Sequence, residues 1–254
     1  MTDAIEFSID GNVAEITIDR PEKRNALTVE MWRALAECTR RAEEADVRAT
    51  VLTGAGDVFC AGDDITALRD VERESDVRRL TDALLACFDA IETSSRPVVG
   101  KANGSAHGGG FELLVACDLT VVPEDATFSL PEVQIGAYPL YGAKRLSRLV
   151  GRQRAMELAL TGRELAAEQA VEWGLFARAV PDGDVDAVVD EWVSALAAGS
   201  PAAIETTKAW LNAGLESPGE NTGIKTGLGY LYAGPDPVEG ARSFLEGRDP
   251  DFAE

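Results

Sequence analysis

"GKANGSAHGGGFELLVACDL", Gly100 to Leu119, runs from a strand-like start through three consecutive glycines into a short apolar segment carrying one acid, Glu112. Glycines at a helix start leave backbone N–H groups unpaired and reachable, and the helix dipole adds partial positive charge there. Such a place binds an anion, or an oxygen that becomes anionic. One helical turn carries the Glu112 carboxylate from just beyond Gly109 back towards those N–H groups. Taken alone, Glu112 reads equally as a first-turn acid favoured by the dipole.

It does not stand alone. In "ATFSLPEVQIGAYP", Ala126 to Pro139, a second acid, Glu132, sits among apolar neighbours directly after Pro131, at the end of another extended segment. Acids in apolar settings have raised pKa values, and a like-charge pair raises one further. That combination suits proton transfer near neutral pH. A dinucleotide-binding turn is the obvious rival, because Glu124 follows the strand, glycines and helix at about the fingerprint distance. The spacing fails: Gly104 is followed by Ser105-Ala106-His107 and then Gly108 to Gly110, which is not G-x-G-x-x-G, and the helix is too short.

Strands alternate with helices on either side of this stretch. "NVAEITIDR" alternates as a strand with Val13, Ile16 and Ile18 inward; Thr28 can cap a helix carrying Met31, Leu35 and Cys38 at helical spacing; "RATVLTG" is a buried strand. "FCAGDDI" reads as a loop, "VRRLTDALLACFDAIETS" as a helix, "RPVVGKANG" and "DLTVVPED" as strands. The fold class is therefore α/β with a largely parallel sheet. From about Gly142 the pattern turns mainly helical, through "GRQRAMELALTG", "RELAAEQAVEWG", a short strand "LFARAV" and "DVDAVVDEWVSALAAG"; Ser200 and Pro201 read as N-cap and first residue of a further helix.

The 254 residues suit one core with an appendage, and 44 acids against 24 bases give a formal net charge of −20. Such a surface repels phosphate backbones and anionic lipid, so no nucleic acid and no membrane partner is expected. Lys is scarce beside Arg, which with the acidity points to a halophilic, high-salt cytosol where self-repulsion is screened. The scattered Cys38, Cys60, Cys87 and Cys117 read as free thiols in a reducing compartment. With no signal-like N-terminus and no long apolar run, a cytoplasmic location is expected.

Several pieces in order carry a resemblance along nearly the whole chain: "ITIDRPEKRNALT" at 16–28, "FCAGDDI" at 59–65, "NGSAHGGGFELLVACDL" at 103–119, "FSLPEVQIGAYP" at 128–139, "LTGRELAAEQAVEWGLFARAVP" at 160–181 and "EGARSFLEGRDPDF" at 239–252. The chain resembles the enoyl-CoA hydratase/isomerase (crotonase) family. The resemblance implies a crotonase-like core of repeated β-β-α superhelical turns over residues 1–195 and a C-terminal helical trimerisation lobe over 196–254, assembled as a homotrimer or homohexamer. It implies an acyl-CoA thioester substrate, with no cofactor beyond the coenzyme A of the substrate itself and no metal.

Carried over by position, the resemblance assigns the catalytic acids to Glu112 and Glu132 and the two oxyanion-hole N–H groups to Asp63 and Gly109. It gives coenzyme A and substrate contacts to Lys23, Arg24 and Ala26 in the first loop, and to Ala61, Gly62, Asp64 and Ile65 around Asp63. Gly108 and Leu140 complete the set. Adding water across the C2=C3 bond of an enoyl thioester develops an enolate-like oxygen, and each backbone donor aimed at it is worth about 3 kcal/mol. Glu112 is assigned to the water and Glu132 to C2. Isomerisation, thioester hydrolysis and carbon–carbon cleavage are the rival reactions; a non-catalytic binding role sits poorly with retention of both acids.

Three departures from the family pattern stand out. Asp63 occupies the variable position of A-G-x-D, where an inward carboxylate would oppose the oxyanion. "YPLYGAKRL" puts Leu140 and Tyr141 where a glycine-rich run helps hold the water. Gly247 stands where Lys is frequent, leaving Arg248 as the nearby cation. His107 reads as a loop or core histidine, and a β-carbon at Gly109 is expected to obstruct the hole from a solvent-lined loop start.

Overall fold

The computed structural model describes residues 2–45, 47–66, 74–213 and 236–248. β1 (Ile5–Asp10) and β2 (Val13–Ile18) form an antiparallel hairpin, and α1 (Val29–Glu44) follows, capped by the Thr28 hydroxyl accepting from Met31 N at 3.3 Å. Three turns of a spiral come next. β3 (Ala49–Gly54), β4 (Val58–Cys60) and α2 (Glu74–Thr93) make the first; β5 (Val98–Lys101), β6 (Ser105–His107) and α3 (Gly109–Ala116) make the second; β7 (Leu119–Pro123), β8 (Thr127–Ser129) and a 3₁₀ turn at Glu132–Ile135 make the third. This is the repeated β-β-α arrangement that the resemblance implies.

Each turn contributes one strand to each of two sheets. The six-stranded sheet runs β1-β2-β3-β5-β7-β10, where β10 is Arg178–Val180, and is parallel from β2 onward; the four-stranded sheet runs β4-β6-β8-β9, where β9 is Leu165–Ala166 and antiparallel. All six residues of β3 are buried, as a parallel strand covered on both faces requires. Between the sheets Phe111, Phe128 and Phe176 pack with ring centroids 4.8 to 5.8 Å apart. Each fully buried ring of this kind contributes roughly 1.5–3 kcal/mol by burial.

The sequence reading missed β1 and the short second strands β4 and β6. Strands of three residues carry too little alternation to register, and their pairing depends on residues far along the chain. "RELAAEQAVEWG" also begins with β9 rather than helix, because Phe128 of β8 offers a strand edge to Leu165.

The helical part comprises α4 (Leu140–Leu149), α5 (Arg152–Thr161), α6 (Ala167–Glu172), α7 (Val185–Ala198), α8 (Pro201–Ala213) and α9 (Asp236–Glu246). Two of these bear directly on the core. Lys208 of α8 is buried and donates to the carbonyls of Ile91 at 2.8 Å and Arg96 at 3.1 Å beside Asp118 at 2.7 Å. α9 returns to the third spiral turn, where Gly240 abuts the Ile135 backbone so closely that a β-carbon would lie 2.3 Å from its carbonyl oxygen. Of the terminal "EGRDPDF", the part beyond Arg248 lies outside the described residues; Arg248 itself pairs with Glu239 and Glu246 of α9.

Candidate active site

The loop after β4 and the start of α3 are brought side by side because Gly62 adopts φ +92°, a conformation that favours glycine. Its missing side chain would sit 2.9 Å from His107 O and 3.3 Å from Gly109 N. The Leu27–Asp63 bridge uses Leu27 N to Gly62 O at 2.8 Å and Asp64 N to Leu27 O at 2.9 Å, which leaves the Asp63 N–H between them pointing the other way. Gly109 opens α3, whose first intrahelical bond is Glu112 N to Gly108 O at 3.0 Å, so its N–H has no helical acceptor. Among the described residues neither N–H has an acceptor, and both residues line one space.

That space is a cavity of about 280 Å³. Arg24, Ala61, Gly62, Asp63 and Ile65 line one part of it, Gly108, Gly109 and Glu112 another, and Glu132 and Leu140 a third. Leu80, Thr81 and Leu84 of α2 add a wall that the sequence reading did not foresee, as do Ile135, Tyr138 and Phe244 of α9. An apolar lining with a few converging polar groups is the usual form of a small-molecule site. Lys23, Ala26 and Asp64 are not among the described lining residues. Asp64 is instead spent on holding the loop: it accepts from Arg20 Nη1 at 2.7 Å and from Thr66 N and Oγ1 at 3.0 and 2.6 Å.

Both glutamates face the cavity in unlike circumstances. Glu112 is 3 % exposed, and Gly142 N, in the first turn of α4, donates to its Oε1 at 2.6 Å. Burial pushes its carboxyl up to about 8, the neighbouring Asp63 charge pushes the same way, and the backbone donors of Gly142 and Tyr141 oppose both. Glu132 is also raised, well above the usual carboxylate range, first by burial and then by the charges of Glu112 and Asp63. Its Oε2 is inaccessible and has no partner among the described residues. Buried polar atoms left in this state are uncommon in folded proteins.

Two of the departures fall in this site. The next residue along, Gly142, spends its N–H on Glu112 Oε1 at 2.6 Å rather than leaving it for the water, and α4 is held in register by Tyr141 Oη donating to Glu92 Oε1 at 2.6 Å and by the buried Arg145–Glu92 ion pair. The Asp63 carboxyl is turned to Trp32, whose indole Nε1 donates to Oδ1 at 2.7 Å; burial nonetheless raises it to about 6, against that hydrogen bond. Gly109 is buried rather than solvent-lined, and its β-carbon direction points at the Trp32 ring, 2.8 Å from Cζ2. His107 lines the cavity, with Nδ1 2.9 Å from Ser129 Oγ, and burial lowers its pKa.

Among the described residues no cluster of His, Cys, Asp and Glu is arranged to hold a metal ion, and no helix is long and apolar enough to cross a membrane. Residues 8–254 match the enoyl-CoA hydratase/isomerase family model. A mevalonyl-coenzyme A hydratase of Aspergillus fumigatus is 35% identical over 93% of this chain and 90% of its own length. A carnitinyl-CoA dehydratase of Salmonella heidelberg is 32% identical over 98% of each chain. The crystal structure of an enoyl-CoA hydratase from Mycobacterium avium subsp. paratuberculosis superposes with a TM-score of 0.89 at 29% identity, covering all of both chains. With the family model matched over residues 8–254 and relatives above 30% identity covering most of the chain, the chain belongs to the enoyl-CoA hydratase/isomerase family.

Proposed function

We propose that the protein adds water reversibly across the C2=C3 bond of a 2-enoyl-CoA thioester to give the 3-hydroxyacyl-CoA. The observation that supports this reading is the joint presence of Glu112 and Glu132 in a cavity also lined by Asp63 and Gly109, whose N–H groups have no acceptor among the described residues. A single-acid reaction such as double-bond migration would leave one of the two buried carboxyls without a role.

In this reading the thioester oxygen accepts from Asp63 N and Gly109 N, which stabilise the charge it gains as C3 is attacked. Glu112, fixed by Gly142, orients the water and takes one of its protons while the oxygen bonds to C3. Glu132, whose pKa burial and the neighbouring acids raise, supplies a proton to C2, so one proton enters Glu112 as another leaves Glu132. Ile65, Leu80, Leu84 and Leu140 give the acyl chain an apolar wall, and Arg24 offers a cation for a coenzyme A phosphate. The exposed Trp210 and Leu211 of α8 offer an apolar face for assembly into a trimer or hexamer.

A panel of crotonyl-, branched and aromatic enoyl-CoAs tests the reaction, followed by loss of the conjugated absorbance and by product mass. A product 18 mass units heavier from at least one of them supports hydration. Unchanged mass with a shifted double bond identifies isomerisation instead.

A further inference from the structure

Trp32 touches both loops that supply the backbone donors, yet it belongs to neither. It lies on α1, is fully buried, and meets the loop after β4 through its indole N–H on Asp63 Oδ1 at 2.7 Å. Its six-membered ring fills the space against Gly109, where a β-carbon would be 2.8 Å from Cζ2 and 3.3 Å from Cη2. One rigid side chain thus contacts the residue carrying each donor.

Trp32 is itself braced from behind. Its ring lies 5.5 Å from Phe88, centroid to centroid, and Phe88 stacks at 4.4 Å on Tyr141, the residue before Gly142. Tyr141 is tied to Glu92 by its hydroxyl. A continuous aromatic row therefore runs from the two donors to the residue that holds Glu112. Packed rings of this sort shift little, because interiors are filled to crystal-like density.

We propose that Trp32 is a positioning residue for the oxyanion hole, its N–H fixing Asp63 and its ring edge fixing Gly109 so that both backbone donors converge on the thioester oxygen. The inference rests on the proposed use of that cavity for an acyl-CoA thioester. It also gives the Asp63 side chain a purpose, as the acceptor that locks its own backbone in place. A misplacement of donors by a fraction of an ångström weakens polarisation of the bound thioester without touching the rest of the ligand.

The test reads polarisation directly. 4-(N,N-dimethylamino)cinnamoyl-CoA absorbs further to the red when its thioester oxygen accepts hydrogen bonds, whether or not the compound reacts. Wild-type protein should shift this band on binding. Trp32→Phe, which keeps an aromatic ring and removes the donor, should show a clearly smaller shift, with kcat on the best enoyl-CoA lowered roughly tenfold to a hundredfold and KM within about twofold. Asp63→Ala should lose part of the shift, the double variant should lose no more than Trp32→Phe alone, and Asp63→Asn, which retains an acceptor for the indole, should recover most of what Asp63→Ala loses. Circular dichroism and melting curves establish that each variant is folded. A folded Trp32→Phe protein with the full wild-type shift overturns the inference, as does a wild-type protein that binds the probe without any shift. A wild-type shift reduced in Trp32→Phe, together with failure to hydrate every enoyl-CoA, defeats the proposed reaction alone.

Discussion

Gly142 donates its backbone N–H to Glu112 Oε1 at 2.6 Å, although the two residues lie on different helices, α4 and α3. The bond fixes one oxygen of a carboxyl that has almost no contact with solvent. A β-carbon at 142 would lie 3.3 Å from that same Oε1 and 3.2 Å from Pro139 Cβ. Gly142→Ala is therefore expected to lower kcat by about tenfold, through displacement of Glu112, with a smaller effect on KM. Steady-state kinetics on the best substrate check this; unchanged kcat would show that the bond does not orient Glu112.

Glu112→Gln and Glu132→Gln should each reduce kcat by at least about a hundredfold, the lower end of general acid–base contributions, with coenzyme A affinity little changed. Both side chains face the same cavity, and neither has a protein cation as partner among the described contacts. Near-normal turnover by either variant would remove the two-acid mechanism.

Hydration needs Glu112 ionised and Glu132 protonated. With Glu112 raised to about 8, kcat should climb with pH up to about 8 as that carboxyl ionises, while loss of the raised Glu132 proton lowers it. Asp63→Asn removes a charge that raises both groups, so the rising limb should move to lower pH. A limb that stayed in place would mean that Asp63 is uncharged in the complex.

The same burial has a cost in stability. Glu112 is lifted from an ordinary 4.5 to about 8, so between those values the folded protein holds a proton that the unfolded chain has released. Stability accordingly falls as pH rises across that window and is unaffected by this group below it. Glu112→Gln should raise the melting temperature more at pH 8 than at pH 5, by the equivalent of on the order of a few kcal/mol. Equal gains at both pH values would indicate that the carboxyl is not strained by burial.

The formal net charge of −20 predicts that stability and assembly rise from low to molar salt as repulsion is screened. Melting curves and sizing columns across that range provide the measurement. A flat response removes the halophilic reading and leaves the chemistry untouched.

The glycine run, the two isolated glutamates, the Thr28 cap and the α/β alternation were all legible in the sequence, because each depends on neighbours within a turn or two of the chain. Glu112 could be placed one helical turn from Gly109 by spacing alone, and the ordered motifs identified the family. What the sequence could not supply were contacts between segments far apart along it. β4 and β6 exist because they pair with each other, not because three residues prefer to be extended. Gly142 reaches Glu112 only because α4 is anchored to Glu92 on α2, and the side chain that a β-carbon at Gly109 would strike, Trp32, lies on α1. Local pattern decides which residues can do chemistry; the packing of distant elements decides which N–H, which ring and which carboxylate share a space of a few ångströms, and only the folded chain fixes that.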